Sequence, residues 1–411
     1  MNRLRWLVVL AITGSIMMLC QSPSGAIPAF ARKYGFNCGM CHVAWPRLND
    51  FGQKYRMNGY RIPGQENIER TVLDQPGIPL ALRTQAGYTS DQFSPTGAET
   101  ETNQFQINGL DVLSGGLLGY NAGYFLAYLP QITGGSGVEP QDATMEQANV
   151  IFSGLRSTWL NARVGKFEAQ YVPFSALRSI TISPYEIYEF NASPGVSAAG
   201  TTGSLNSFSL AATTTGLELT GWGRSPLQYA FGFVNGSDSN TSSDSPADFY
   251  LRPVYVFGHG FGQTAGQRVG ALAYFGKARP GVEVSRESFT RYGLDANLNF
   301  SEYNAEIQYI WGRDNGAFNV FAPGDKYKFS GGFVQLNRFA MESAQFARFD
   351  WMNTPSADNH DIRRITVGWR QHLAHPLMLQ LEYSHRTVDN GAGPGSDLTE
   401  NFAAARLDWA F

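Results

Sequence analysis

From Ile78 onward, hydrophobic and polar positions alternate in segments of about ten to twelve residues, separated by turn-forming stretches. In the run from Tyr292 to Phe300, one face carries Tyr292, Leu294, Ala296, Leu298 and Phe300, and the other Gly293, Asp295, Asn297 and Asn299. Ala305, Ile307, Tyr309 and Trp311 alternate with Asn304, Glu306, Gln308 and Gly312 in the same way. So do Ile365, Val367 and Trp369 with Arg364, Thr366, Gly368 and Arg370. A period of two means strands with one apolar and one polar face. A soluble sandwich alternates too, but it rarely sets tyrosine and tryptophan repeatedly at the ends of its apolar face. The pattern predicts an all-β fold: a transmembrane antiparallel β-barrel.

The connections add topology. Tight turns are expected at Ser114-Gly115-Gly116, near Gly154-Leu155, at Ser225-Pro226, at Ser301-Glu302 and around Ala374-His375-Pro376. Between them lie long polar loops at 90–102, 130–143, 237–247, 314–326, 353–360 and 388–398. Short turns on one side and long loops on the other are the habit of outer-membrane barrels. The spacing predicts about sixteen strands, an even number that leaves both termini on the periplasmic side. Leu407, Trp409 and Phe411 close the chain on one apolar face, resembling the terminal strand by which bacterial barrels are recognised for insertion. One connection is far longer than the rest, from Phe167 to Thr213. A segment of that length without its own elements is expected to serve a function, here by folding into the lumen as a constriction. Inward parity falls to Arg163, Arg348, Arg364, Arg370, Arg406, Glu306, Glu382, Asp295 and Asp408. Such charges suit a wet lumen and are costly against lipid, about 2–4 kcal/mol for a midplane cation.

The N-terminus reads differently. Met1-Asn2-Arg3-Leu4-Arg5 is basic, Trp6 to Leu19 is apolar, and Ser24-Gly25-Ala26 supplies small residues, together the signature of a signal peptide over 1–26. Met17-Met18-Leu19-Cys20 lacks the small residue expected before a lipidated cysteine. Cleavage after Ala26 leaves Cys38 and Cys41 in an oxidising compartment. Beyond the signal no segment is apolar enough for a transmembrane helix. With 43% hydrophobic residues, 45 glycines and 13% aromatics, the composition agrees with many strands carrying aromatic rims. A net charge of −3 gives no case for nucleic acid.

Cys38-Gly39-Met40-Cys41-His42 carries the candidate chemistry. Two thiols two residues apart and followed by histidine fit covalent attachment of one haem c. The thiols add across the two vinyl groups, and the adjacent His42 imidazole is delivered to the iron as proximal ligand. A thioredoxin-like dithiol would want a βαβ frame, and a zinc site a second pair of ligands nearby; the sequence offers neither. A helix is expected to begin at Pro46, with Leu48, Phe51 and Tyr55 as an apolar stripe over the porphyrin. Met57 is the local candidate for the distal iron ligand, and would raise the potential relative to a second histidine. His372, inward by parity with Arg370, competes with it, as does water; His385 is expected to face outward.

Residues 28–64, "PAFARKYGFNCGMCHVAWPRLNDFGQKYRMNGYRIPG", resemble the N-terminal signature of the fused outer-membrane monohaem cytochrome c–porins of iron-oxidising bacteria. Pro28, Phe30-Ala31-Arg32, Gly35, Cys38, Cys41, His42, Pro46, Leu48, Phe51-Gly52 and Gly59-Tyr60 carry the resemblance. The chain departs in "KYG", where many members have "QTG", and in "YRMNGYR", where methionine is often absent. The resemblance implies a haem c module over 27–77 and a porin-like barrel over 78–411, with the module plugging the lumen. It further implies an electron-transfer conduit, of the Fe(II):cytochrome c oxidoreductase kind. Such a conduit would take electrons from extracellular Fe(II) or another donor and pass them to a periplasmic carrier, a c-type cytochrome or copper protein. Two alternatives stand beside it. One is a conduit working outward; the other is a solute-diffusion porin with a structural or sensory haem module.

Overall fold

A computed structural model describes residues 34–36, 38–62, 79–94, 99–132, 142–190, 206, 208–222, 226–236, 248–257, 266–278, 286–318, 324–340, 342–354, 361–374, 377–389 and 397–410. The expected signal peptide and the terminal Phe411 lie outside these residues. Near the N-terminus, a turn at Cys38–Met40 leads into a two-stranded hairpin, β1 (His42–Ala44) and β2 (Arg47–Leu48), and then a helix, Asp50–Met57.

The barrel follows. Its first strands are β3 (Leu80–Ser94), β4 (Thr100–Gly119), β5 (Ala122–Leu129) and β6 (Thr144–Phe152). A short β7 (Leu155–Thr158) lies in the connection to β8 (Asn161–Phe167). After the long segment come β9 (Thr214–Trp222), β10 (Leu227–Val234), β11 (Asp248–Phe257), β12 (Gln267–Ala278) and β13 (Glu287–Phe300). The circuit ends with β14 (Tyr303–Asp314), β15 (Tyr327–Phe339), β16 (Ser343–Asn353), β17 (Ile362–Ala374), β18 (Leu377–Val388) and β19 (Leu398–Ala410). Sixteen strands, all but β1, β2 and β7, close one antiparallel barrel, sealed where β19 pairs with β3 from Thr399–Ser94 to Ala410–Arg83.

The two faces of the wall differ as the alternation requires. Along β14, Asn304, Glu306 and Gln308 are buried, while Ile307, Tyr309 and Trp311 are well exposed on the other face. Leu294, Leu336, Ile365, Val367 and Tyr383 extend that outward apolar surface, as lipid contact demands. Four inward arginines are ion-paired: Arg163 with Glu218, Arg252 with Asp295, Arg291 with Asp314 and Arg348 with Asp350. This is a porin-like transmembrane barrel.

Connections are short at one end, as at Phe300–Tyr303 and Ala374–Leu377, and long at the other. Two expected turns fall elsewhere. Ser114-Gly115-Gly116 lies within β4, paired to Leu126, Phe125 and Tyr124, and the chain reverses later, at Tyr120-Asn121. Glycines in a strand can mark a close approach rather than a turn, and here Gly115 borders a cavity. Near Gly154-Leu155, the connection runs on through β7 before β8 begins.

The described residues of the segment between Phe167 and Thr214 fold inward, as its length predicts. Among the described residues, Tyr171, Phe174, Tyr185 and Tyr188 join a core with the inward-facing Tyr250, Tyr274 and Phe333. Tyr185 stacks on Phe333 at 4.2 Å between ring centroids, and Tyr171 meets Tyr250 edge-on at 5.0 Å. Burying such a side chain fully is worth about 1.5–3 kcal/mol, so the segment is held by its aromatics. Wall carboxylates fix its path. Glu218 accepts the Gln170 amide at 2.7 Å, and Glu382 accepts the amides of Ile182 and Ser183 at 2.6 and 2.5 Å.

Residues 38–62 pack against the wall at the short-turn end. Arg61 donates to the Tyr120 carbonyl and the Ser153 hydroxyl, each at 2.5 Å. Arg47 pairs with Glu306, and Arg370 donates to the Trp45 carbonyl at 2.8 Å. The backbone of Gly59 approaches Gly123 of β5 so closely that a Cβ at 123 would strike the Gly59 carbonyl.

Candidate functional site

A cavity with about 1380 Å³ of non-atom space, counting its open mouth, lies between this N-terminal unit and the barrel wall. Cys41, His42, Trp45 and Pro46 line it from the hairpin side. The expected apolar stripe of Leu48, Phe51 and Tyr55 faces the same space. Tyr34, Phe36 and Tyr60 extend this aromatic wall, with Phe51 and Tyr55 stacked at 6.3 Å and Tyr60 stacked on Phe125 of β5 at 5.8 Å. The barrel adds small residues, Ala81, Gly115 and Ala127, which leave the room that larger side chains would fill.

Local sequence explains the hairpin and helix. The helix begins at Asp50 rather than at Pro46, because Asn49 caps it, its side-chain oxygen accepting from the Gly52 amide at 2.8 Å. The same side chain donates to the carbonyls of Gly39 and Met40, at 3.2 and 3.0 Å, and its backbone amide donates to the Cys41 carbonyl at 2.9 Å. Asn49 thereby ties the cysteine turn to the helix. Gly52 is required beside it, since a Cβ there would strike the Cys41 carbonyl. Pro46, outside the helix, sits in the hairpin turn with its carbonyl 3.0 Å from His42 Nδ1. With Nδ1 donating there, Nε2 is the acceptor nitrogen, the form an imidazole needs to bind a metal. Burial lowers the His42 pKa from 6.5 to about 4, against the opposing hydrogen bonds to Pro46 and Arg47, so the ring is neutral near pH 7.

The other candidates separate. The side chain of Cys38 lies outside the described residues. Met57 is not among the residues lining the cavity; the helix turns Phe51, Gly52, Tyr55 and Arg56 toward it, and Met57 falls about 100° further round. His372 does lie inward near His42, across a smaller space bordered by Gly39, Trp45, Glu342 and Arg370. His385 lies on the outward parity of β18, hydrogen-bonded to Asn401 at 2.8 Å.

Charged residues close the cavity: Arg56, Arg83, Asp111, Glu146 and Arg178. Arg83 is matched by Asp408, at 2.7 Å, and by Asp111 at 3.5 Å. Arg56 and Arg178 both turn to Glu168. Sequence reasoning missed Asn49, Arg56 and Arg178. Asn49 carried a legible signal as an N-cap residue before an acidic first turn; the two arginines carried none, since one belongs to the helix and the other to the inward segment. In chemical terms, the lining can receive a flat apolar group, offer its centre one neutral imidazole, and meet its anionic edge with guanidinium groups.

Comparison with solved structures adds the frame. An anion-selective porin from Comamonas acidovorans shares the fold at TM-score 0.54 and 12% identity, covering 81% of this chain and 99% of that one. The outer membrane channel DcaP of Acinetobacter baumannii follows at TM-score 0.53 and 9% identity, with 81% and 97% covered. OprB of Pseudomonas putida matches at TM-score 0.50 and 10% identity, with 83% and 95% covered. The fold is that of the outer-membrane porins. No family model matches the sequence, and no curated relative does.

These findings correct the expectation of an Fe(II)-oxidising conduit, and with it the description of the chain as a cytochrome of iron oxidation. The solved structures that share the fold are porins and channels. Among the described residues, no group of three or more His, Cys, Asp or Glu side chains could hold a metal ion. The physical reason lies in the lumen wall, where Glu218, Asp295, Asp314, Asp350 and Asp408 are engaged by arginines and have little to offer a ferrous ion.

Proposed function

We propose that the chain is an outer-membrane porin, a channel for small solutes, whose lumen holds one haem c as a structural or sensory element at its periplasmic end. The closed sixteen-stranded barrel, apolar outside and polar within, is the observation that carries the porin reading. An outer-membrane place follows from that surface and from the porins that share the fold. The inward segment and the N-terminal unit narrow the lumen, which favours small solutes and a low conductance.

The haem reading is supported by the cavity. Cys38 and Cys41 would hold the group covalently, and His42, oriented by the Pro46 carbonyl, would be its proximal ligand. Phe51, Tyr55, Tyr60 and Phe125 would cover its faces and keep water from them. When bound there, haem would supply a one-electron redox centre with strong visible absorption. Anchored between the N-terminal unit and the wall, it would stiffen the plug that unit makes.

Bilayer recording on purified full-length protein tests the proposal, with covalent haem measured on the same preparation. Ohmic channel steps from protein that stains for haem after denaturation are expected. Haem-stained protein that never conducts would remove the porin reading, and conducting protein with no covalent haem would remove the cofactor.

A further inference from the structure

Two guanidinium groups at the cavity, Arg56 buried and Arg178 partly buried, share one carboxylate as their direct ion-pair partner. Arg56 comes from the helix and Arg178 from the inward segment, and both border the space lined by Cys41 and His42. Arg56 lies 3.7 Å from the Glu168 carboxylate and donates to the Glu168 carbonyl at 3.3 Å; Arg178 pairs with the same carboxylate. That carboxylate also accepts from the Ser175 hydroxyl at 2.6 Å and the Leu177 amide at 3.3 Å. Arginine cannot shed its proton. Both cations thus meet a single carboxylate directly, with the Arg163–Glu218 pair beside them and Glu146 across the space from Arg178, where each ion's desolvation costs several kcal/mol. Burial, and the charge of Arg56, press on Arg178 and push its pKa down. Arg83, on the same lining, is matched by two carboxylates, Asp408 and Asp111. Glu146 also borders the space, beside Asp111 as well as Arg178. A cavity with aromatic walls and a cationic rim fits an occupant that is apolar across its plane and anionic at its edge.

We infer that Arg56 and Arg178 receive the carboxylate groups of the haem held at Cys41 and His42. The inference rests on the haem reading above. It also assigns Arg178 two partners, Glu168 within its own segment and the occupant, so that the inward segment and the N-terminal unit share a charged joint at the cavity.

The test is a redox titration of the purified full chain, followed from pH 5 to pH 8, in wild type and in Arg178→Gln, Arg56→Gln and Arg178→Lys. Losing a cation near the iron favours the ferric state. Each glutamine variant is expected to favour it about tenfold, a fall of about 59 mV for a one-electron couple. The same variants should gain a pH dependence over the range where the carboxylates ionise, and Arg178→Lys, which keeps the charge, should restore most of both. Where Arg178→Gln fails to give a heat-modifiable barrel, Arg56→Gln decides the matter. Glutamine variants that carry covalent haem with the wild-type potential and pH profile would overturn the arginine assignment alone. Wild-type protein with no covalent haem would overturn the haem reading itself, and this inference with it.

Discussion

His42 Nδ1 lies 3.0 Å from the carbonyl oxygen of Pro46, four residues on, at the turn of a two-stranded hairpin. That single contact joins a chemical motif to a local fold. It fixes which nitrogen carries the proton, while Pro46 sits in the hairpin turn and the helix opens only after the Asn49 cap. Asn49 holds this hairpin to the helix.

Asn49→Ala removes the helix cap and the two bonds to the cysteine turn. A lost cap costs about 0.5–2 kcal/mol. The N-terminal unit is small and held by few such bonds, so limited proteolysis should cut within 38–62 faster, while the barrel keeps its heat-modifiable mobility. Equal cleavage of variant and wild type would show that Asn49 does not hold the unit.

Gly123→Val probes how that unit meets the wall. A side chain there would strike the Gly59 carbonyl, and backbone on both sides leaves little room to yield. The variant should expose Arg61, now bonded to Tyr120 and Ser153, and raise single-channel conductance by unseating residues 38–62. Unchanged conductance and unchanged protease resistance would count against that docking.

How far the sequence alone reaches depends on what each residue has to satisfy. Leu294 and Asp295 announce their faces because a barrel wall separates lipid from a polar interior, and alternation is enough to read it. The inward segment is legible from length alone. The cavity is only half legible. Phe51 and Tyr55 share a helical stripe, with Leu48 of β2 beside them, whereas Phe125, Ala127 and Arg178 meet them only through the closure of the barrel and the path of the long segment. Gly115 has the local look of a turn because its reason is the neighbouring space, which no local pattern records. The motif at Cys38–His42 speaks for local chemistry and for no partner, and extending it to iron oxidation outruns what the residues support.

Glu382→Ala should loosen the constriction. Its carboxylate takes the amides of Ile182 and Ser183 and the Thr181 hydroxyl, the last at 3.1 Å. Leaving buried donors unmet costs about 1–3 kcal/mol each. Larger and noisier conductance steps are expected in bilayers. Glu382→Gln, which keeps an acceptor oxygen, should fall between the variant and wild type. Steps of wild-type size in the alanine variant would mean that the aromatic core alone holds the segment.

A single preparation can address the channel and the haem together. Full-length protein is purified in detergent, a preparation with one covalent haem per chain is selected by pyridine haemochrome measurement on an aliquot, and single channels are recorded in planar bilayers. The account expects discrete ohmic steps from this fully loaded protein, enlarged when the segment between Phe167 and Thr214 is shortened. A silent bilayer from protein carrying one covalent haem per chain, with the segment intact or shortened, would contradict it.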